Sequence, residues 1–146
     1  MPATLFTHEE QALIKTAIEN AERRTSGEIR VSIDRTCSED VLDRAAYYFV
    51  KLNMQHTRQR NGVLIYVAAV DRKFAIIGDS GINKVVPADF WDTTRNAMLT
   101  HFKVGDIAHG IITGIEKAGE QLRKFFPYQF NDENELPDDI AFMQGS

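Results

Sequence analysis

The tetrapeptide Gly78-Asp79-Ser80-Gly81 surrounds a serine with small residues, as a nucleophile loop does. A serine nucleophile needs a histidine and an acid to converge on it. The chain offers His8, His56, His101 and His109, at spacings that match no serine-hydrolase order. It is also too short for two β-barrels, and the tetrapeptide follows the third expected strand rather than the first. Ser80 is therefore expected to be a bystander, with Gly78 and Gly81 taking the unusual backbone angles of a strand-to-helix turn. Other chemistries fail on their ligand sets. A cysteine phosphatase loop would need Arg where Asp43 stands, and Glu39 and Asp40 beside Cys37 would repel phosphate. Asp34 ends a strand as an aspartyl-phosphate nucleophile would, but Thr36 replaces the second acid. Asn131, Glu133 and Glu135 alternate like calcium-loop ligands, yet Leu136 and Pro137 follow where the loop needs Gly. With one cysteine and no His-Glu-x-x-His, a structural or hydrolytic zinc site has no ligand set.

What remains is a set of carboxylates and amides at strand ends, which suits hard cations that take oxygen ligands, Ca2+ or Mg2+. Two groups follow from the expected strand directions. One sheet edge collects Glu28, Asn61 and Asp79. The other collects Asp34, Asp71 and Arg72, with Asp106 at the start of the last helix as a further oxygen donor.

The elements that position these residues are legible from period and punctuation. Thr7-His8-Glu9-Glu10 is a capping box, and Leu13, Ile14, Ala17, Ile18 and Ala21 continue at helical spacing. "EIRVSID" alternates and predicts a strand from Glu28 to Asp34. Ser38 with Glu39 and Asp40 predicts a helix start, and an apolar face runs from Val41 to Leu52. "VLIYVAAV" is a continuous apolar run, typical of a central strand buried on both faces. Asp71-Arg72-Lys73 breaks it before "FAIIG", so the second and third strands form a hairpin. Pro87 predicts the first turn of a third helix, and Gly105-Asp106 opens a fourth that runs to about Phe125. Gly110, Gly114 and Ala118 form a small-residue stripe, expected to pack closely on the sheet. The order αβαββαα gives an α/β fold: a three-layer α/β/α sandwich around a mixed sheet of three to four strands.

With 146 residues, 43% of them hydrophobic, the chain fits one domain, placed at 5–126, with 127–146 as an exposed acidic extension. A net charge of -4 without a basic face argues against nucleic acid as a partner. No stretch reaches the ~18 apolar residues of a membrane span, and the N-terminus does not read as a signal peptide. A cytoplasmic location is the expectation.

In order, "TSGEIRV", "RNGVLIYVAAVDRK", "FAIIGDSG", "PADFW" and "FKVGDIAHGI" resemble the motifs of the TPM-domain family over Leu5 to Phe126. The resemblance implies an α/β/α sandwich. Relatives include membrane-anchored bacterial proteins and a plant thylakoid-lumen protein linked to photosystem II repair, and they have been associated with calcium binding and with acid phosphatase activity. It therefore implies a groove near the strand ends for a divalent cation or phosphate. The positions that match the family pattern best are Asn61 and Gly62, Asp71 and Arg72, Gly78 and Asp79, Phe90 and Trp91, and Asp106. The expected function is that of a stand-alone TPM domain which binds Ca2+ or Mg2+ weakly as an accessory or interaction module. A metal-assisted acid phosphatase is one alternative. A metal-free protein-binding domain is the other, favoured if Phe90 and Trp91 form an exposed patch.

Overall fold

The structure, a computed structural model, describes residues 5–128 and 136–144. Its elements are α1 (His8–Glu22), β1 (Glu28–Asp34), α2 (Val41–Lys51), β2 (Gly62–Ala68), β3 (Lys73–Gly78), α3 (Ser80–Asn83), α4 (Asp92–Lys103), α5 (Ile107–Leu122) and β4 (Ala141–Phe142). The expected capping box starts α1: the Glu10 amide donates to Thr7 Oγ1 at 3.0 Å, and the Thr7 amide to Glu10 Oε1 at 2.9 Å.

The sheet runs β3-β2-β1-β4. β1 and β2 are parallel, in register from Glu28 opposite Gly62 to Asp34 opposite Ala68. β3 returns antiparallel to β2, as the hairpin reading expects. β2 is an interior strand buried at every position, which is why its apolar run is unbroken. Alternation along β1 and β2 divides the core. Ile29, Val31, Ile33, Val63, Ile65 and Val67 pack under α1, α4 and α5. Leu64, Tyr66 and Ala68 pack with Ala45, Tyr48 and Phe49 of α2 on the other face. The result is the three-layer sandwich.

Five details differ from the sequence reading. The cap of α2 is Asp40 rather than Ser38; its Oδ1 accepts from the Leu42 and Asp43 amides at 2.8 and 3.2 Å. The third long helix begins at Asp92, because the Pro87 to Trp91 stretch forms turns that turn two rings inward. Phe90 and Trp91 are buried, with ring centroids 4.6 Å apart, and Gln121 Nε2 donates to the Phe90 carbonyl at 2.7 Å. No exposed aromatic patch exists at these two residues, so the observation that would have favoured a protein-binding surface there is not met. The small-residue stripe of α5 faces α4 rather than the sheet. A Cβ on Gly110 would stand 2.4 Å from the Phe102 ring, and one on Gly114 2.5 Å from Met98 Sδ.

Gly78 and Gly81 do not have positive φ; among the described glycines only Gly105 does, at 81°. Gly81 is required by close approach instead: a Cβ there would lie 2.0 Å from the Gln59 carbonyl oxygen. Finally, the described part of the C-terminal segment is not an exposed tail. Leu136 is buried in the α2-side core, and β4 pairs in parallel with β1 at Ser32 and Ile33. The calcium-loop positions Asn131, Glu133 and Glu135 lie outside the described residues.

Candidate functional site

Of the three residues expected at the first sheet edge, Asp79 belongs to a separate structure. Its carboxylate is buried and takes a bidentate pair from Arg60, Nε to Oδ2 at 2.8 Å and Nη2 to Oδ1 at 2.9 Å. Oδ1 also caps α3 by accepting from the Ser80 amide at 2.7 Å. A carboxylate so committed is a turn anchor, not a free oxygen donor. Asn61 ties two strand starts together: its Nδ2 donates to the Ser26 carbonyl and its own carbonyl accepts from the Glu28 amide, both at 3.2 Å. Its Oδ1 is buried without a hydrogen-bond partner. Ser80 is exposed, and no histidine or acid bonds its hydroxyl among the described residues.

Glu28 lies instead beside the carboxyls of two residues that the sequence reading did not include. Because β4 is only two residues long and pairs with β1 at Ser32 and Ile33, no strand among the described residues pairs with the start of β1 on that side. The Ile29 amide at this edge donates to Glu22 Oε2 at 3.1 Å. Glu22 ends α1, where the helix dipole disfavours a negative charge. Its other oxygen, Oε1, is buried and finds no N–H or O–H donor. What faces the Glu22 carboxyl instead are the carboxyls of Asp138 and Glu28. Burial first, then hydrogen bonding to Asp138 and to Glu28, pushes Glu22 up to about 11. Asp138 arrives here because the C-terminal segment is fastened around it. Leu136 is buried on one side of it, Lys15 Nζ pairs with Asp139 at 3.0 Å, and the Met143 amide donates to the Ile33 carbonyl at 2.8 Å.

The residues of the second edge are each occupied. Asp34 is fully buried and accepts from Arg44 Nη1 at 3.0 Å, Tyr48 OH at 2.9 Å and Tyr66 OH at 2.7 Å. Burial, and then the Asp34 carboxylate, push the Tyr48 phenol up to about 12. Asp34 is thus the charged centre of a buried network between the sheet and α2, closed to a cation. Asp71 Oδ2 accepts from the Cys37 amide at 2.9 Å. Arg72 sits in the left-handed region at φ 55° and donates from Nη1 to the Lys103 carbonyl at 3.2 Å. Asp106 caps α5 through the His109 amide at 3.4 Å and faces His109 Nδ1 at 2.9 and 3.0 Å, which holds it below the usual carboxylate range. A cavity of about 170 Å³ beside it is lined by Phe6, Glu10, Ala69, Val70 and Gly105. Trp91 is part of the core and lines none of these sites.

The edge cluster of Glu22, Glu28 and Asp138 therefore stands out as the place where three carboxyls meet around a buried Glu22 oxygen that has no hydrogen-bond donor. Among the described residues, no three His, Cys, Asp or Glu side chains already stand in the arrangement of a metal centre. The Glu22 carboxyl instead faces those of Glu28 and Asp138, and burial with these two neighbours favours its protonated form.

Comparison with known proteins agrees with this architecture. A family model described as "TPM domain" matches residues 1–121. The chain is similar to the BA42 protein from the psychrophilic bacterium Bizionia argentinensis, with 51% identity over 94% of this chain and 95% of that one and a TM-score of 0.89. It is similar in fold to the N-terminal domain of cg2496 from Corynebacterium glutamicum, with 13% identity over 96% of this chain and 81% of that one and a TM-score of 0.64. No curated protein matches. Among the described residues, no helix is long and apolar enough to cross a membrane.

Proposed function

The chain belongs to the TPM-domain family, and on that premise we propose that the edge of β1 binds a hard divalent cation, Ca2+ or Mg2+, through Glu22, Glu28 and Asp138. The domain would serve as an accessory or interaction module rather than as an enzyme with its own nucleophile. One observation carries the reading: a buried Glu22 oxygen without a donor, facing two further carboxyls.

The physical choice at this edge is narrow. Two carboxylates about 4 Å apart repel by roughly 4 kcal/mol at an effective dielectric constant of 20, so they do not stand ionised together without compensation. A proton on Glu22 supplies one form of compensation and a divalent cation supplies a stronger one. Carboxylate oxygens are the ligands that Ca2+ and Mg2+ prefer, and both ions also take waters into their shells. Competition with the Glu22 proton makes binding weak near neutrality and stronger as pH rises.

A Ca2+ titration followed by backbone amide shifts tests the reading. Saturable shifts at Glu22, Glu28 and Ile29 that vanish in Glu22→Gln support it; none at this edge would overturn it. The name of the matching family model includes the word phosphatase, and a cation held here would polarise a phosphoryl oxygen and activate water. Hydrolysis of a chromogenic phosphate ester that is lost in Glu28→Gln would support that second reading, and turnover indifferent to Glu28 would exclude this edge as its source.

A further inference from the structure

The corner between α4 and α5 carries a second, chemically different arrangement. His101 lies in the last turn of α4 and His109 in the first turn of α5, with ring centroids 6.5 Å apart and planes tilted by 33°. Each ring is fastened by one nitrogen. His109 Nδ1 faces the two Asp106 oxygens at 2.9 and 3.0 Å, and His101 Nε2 meets Thr113 Oγ1 at 3.3 Å. A carboxylate only accepts, so Nδ1 of His109 carries the hydrogen and Nε2 presents the lone pair in the neutral ring. Nε2 of His109 and Nδ1 of His101 have no hydrogen-bond partner among the described residues.

The backbone beneath them is fixed. Gly105, at φ 81°, makes the corner, and the Arg72 guanidinium packs where a Cβ would be, 3.0 Å from that position. Gly110 brings α5 against the Phe102 ring.

We propose that His101 and His109 form a binding site for a borderline transition-metal ion of the Zn2+, Cu2+ or Ni2+ class, with Asp106 as the positioning residue. A histidine that gives its second N–H to a carboxylate is the arrangement that orients metal-bound imidazoles and raises their basicity. Imidazole nitrogen suits these ions and not Ca2+ or Mg2+, so this corner and the carboxyl edge of β1 select different metals. The site supplies two protein ligands, and water completes the shell. With Zn–N bonds of about 2.0–2.1 Å, the two nitrogens must come to roughly 3.3 Å of one another. The His109 side chain is 60% exposed, and small rotations of the two rings about their held nitrogens would supply that approach.

The test is calorimetric titration of the intact chain with ZnCl2 at pH 7.5, with histidine-ring nitrogen shifts recorded in parallel. One equivalent is expected to bind, shifting the His101 and His109 rings. His101→Ala and His109→Ala should each weaken binding at least tenfold, whereas His8→Ala and His56→Ala should leave it unchanged. Asp106→Asn keeps an oxygen for the helix cap while removing the charge. It should weaken binding about tenfold, from the range seen for such partners, and relax the His109 tautomer in the nitrogen spectrum. Circular dichroism identifies any variant that fails to fold, and His109→Gln replaces it. Zn2+ affinity that is absent in the wild type, unaffected by either histidine substitution, or abolished by excess Mg2+ would overturn the proposal.

Discussion

The carboxyls of Glu22 and Glu28, one ending α1 and the other opening β1, face each other at the edge of the sheet. A protonated Glu22 resolves that contact by donating. Its other oxygen already accepts from the Ile29 amide at 3.1 Å, so the residue bridges the helix to the strand.

Stability should therefore depend on pH in an unusual direction for an acid. Glu22 is raised from 4.5 to about 11, so the folded state keeps a proton that the unfolded state releases. Its contribution is full below about 4.5 and declines as pH rises toward 11. One proton sets a limit of about 1.4 kcal/mol per pH unit, and the half-buried position of Glu22 reduces it through solvent screening. Urea unfolding at pH 6, 7.5 and 9 should show a falling midpoint that flattens in Glu22→Gln. Equal slopes in the two proteins would contradict the assignment.

Asp79→Ala should destabilise the domain without touching cation binding at β1. It removes the α3 cap and leaves Arg60 without its bidentate partner. Loss of the cap alone costs about 1 kcal/mol. A thermal melt and a Ca2+ titration of the same variant separate the two properties: a lowered Tm with unchanged Ca2+ response is expected. A lost response would return Asp79 to the site.

Asp34→Asn should be among the most damaging single changes. Arg44 would lose its buried partner and keep only the longer pair with the half-exposed Glu39, at 3.4 Å, and breaking a buried pair costs about 3–5 kcal/mol. At this chain length that corresponds to a fall in Tm of order 10 °C. A change of only a degree or two would show that the network is not under strain of burial.

Gly81→Ala and Ser80→Ala form a contrasting pair. The first drives a methyl onto the Gln59 carbonyl and should lower stability by several kcal/mol, or prevent folding. The second alters an exposed hydroxyl and should leave stability, and any phosphate-ester turnover, unchanged. Loss of turnover in Ser80→Ala would restore the serine as a reacting group.

Much of the fold was legible because its signals are local. The Thr7 and Glu10 box, the Ile29, Val31 and Ile33 alternation and the apolar run of β2 each declare an element within a few residues. The site was legible only at Glu28, which a strand end exposes as an oxygen donor. Glu22 carried a faint signal, an acid in the last turn of a helix against the dipole, but its partners lie on other elements. Asp138 had none, since a two-residue strand has no period to read and its docking depends on Leu136 and Lys15. The commitment of Asp79 to Arg60 was not legible because it spans a turn whose geometry, with Arg60 at φ 50°, has no signature in residue types. Phe90 and Trp91 likewise read as a helix start, whereas burial of their rings delays the helix to Asp92.

The most direct measurement is the Ca2+ titration repeated at pH 6.5 and 8.5 with wild type and Glu22→Gln. The predicted result is saturable amide shifts centred on Glu22, Glu28, Ile29 and Asp138, tighter at the higher pH and absent from the variant. Shifts centred on Asp71 and Asp106, or an affinity that does not change with pH, would contradict a cation that replaces the proton of Glu22.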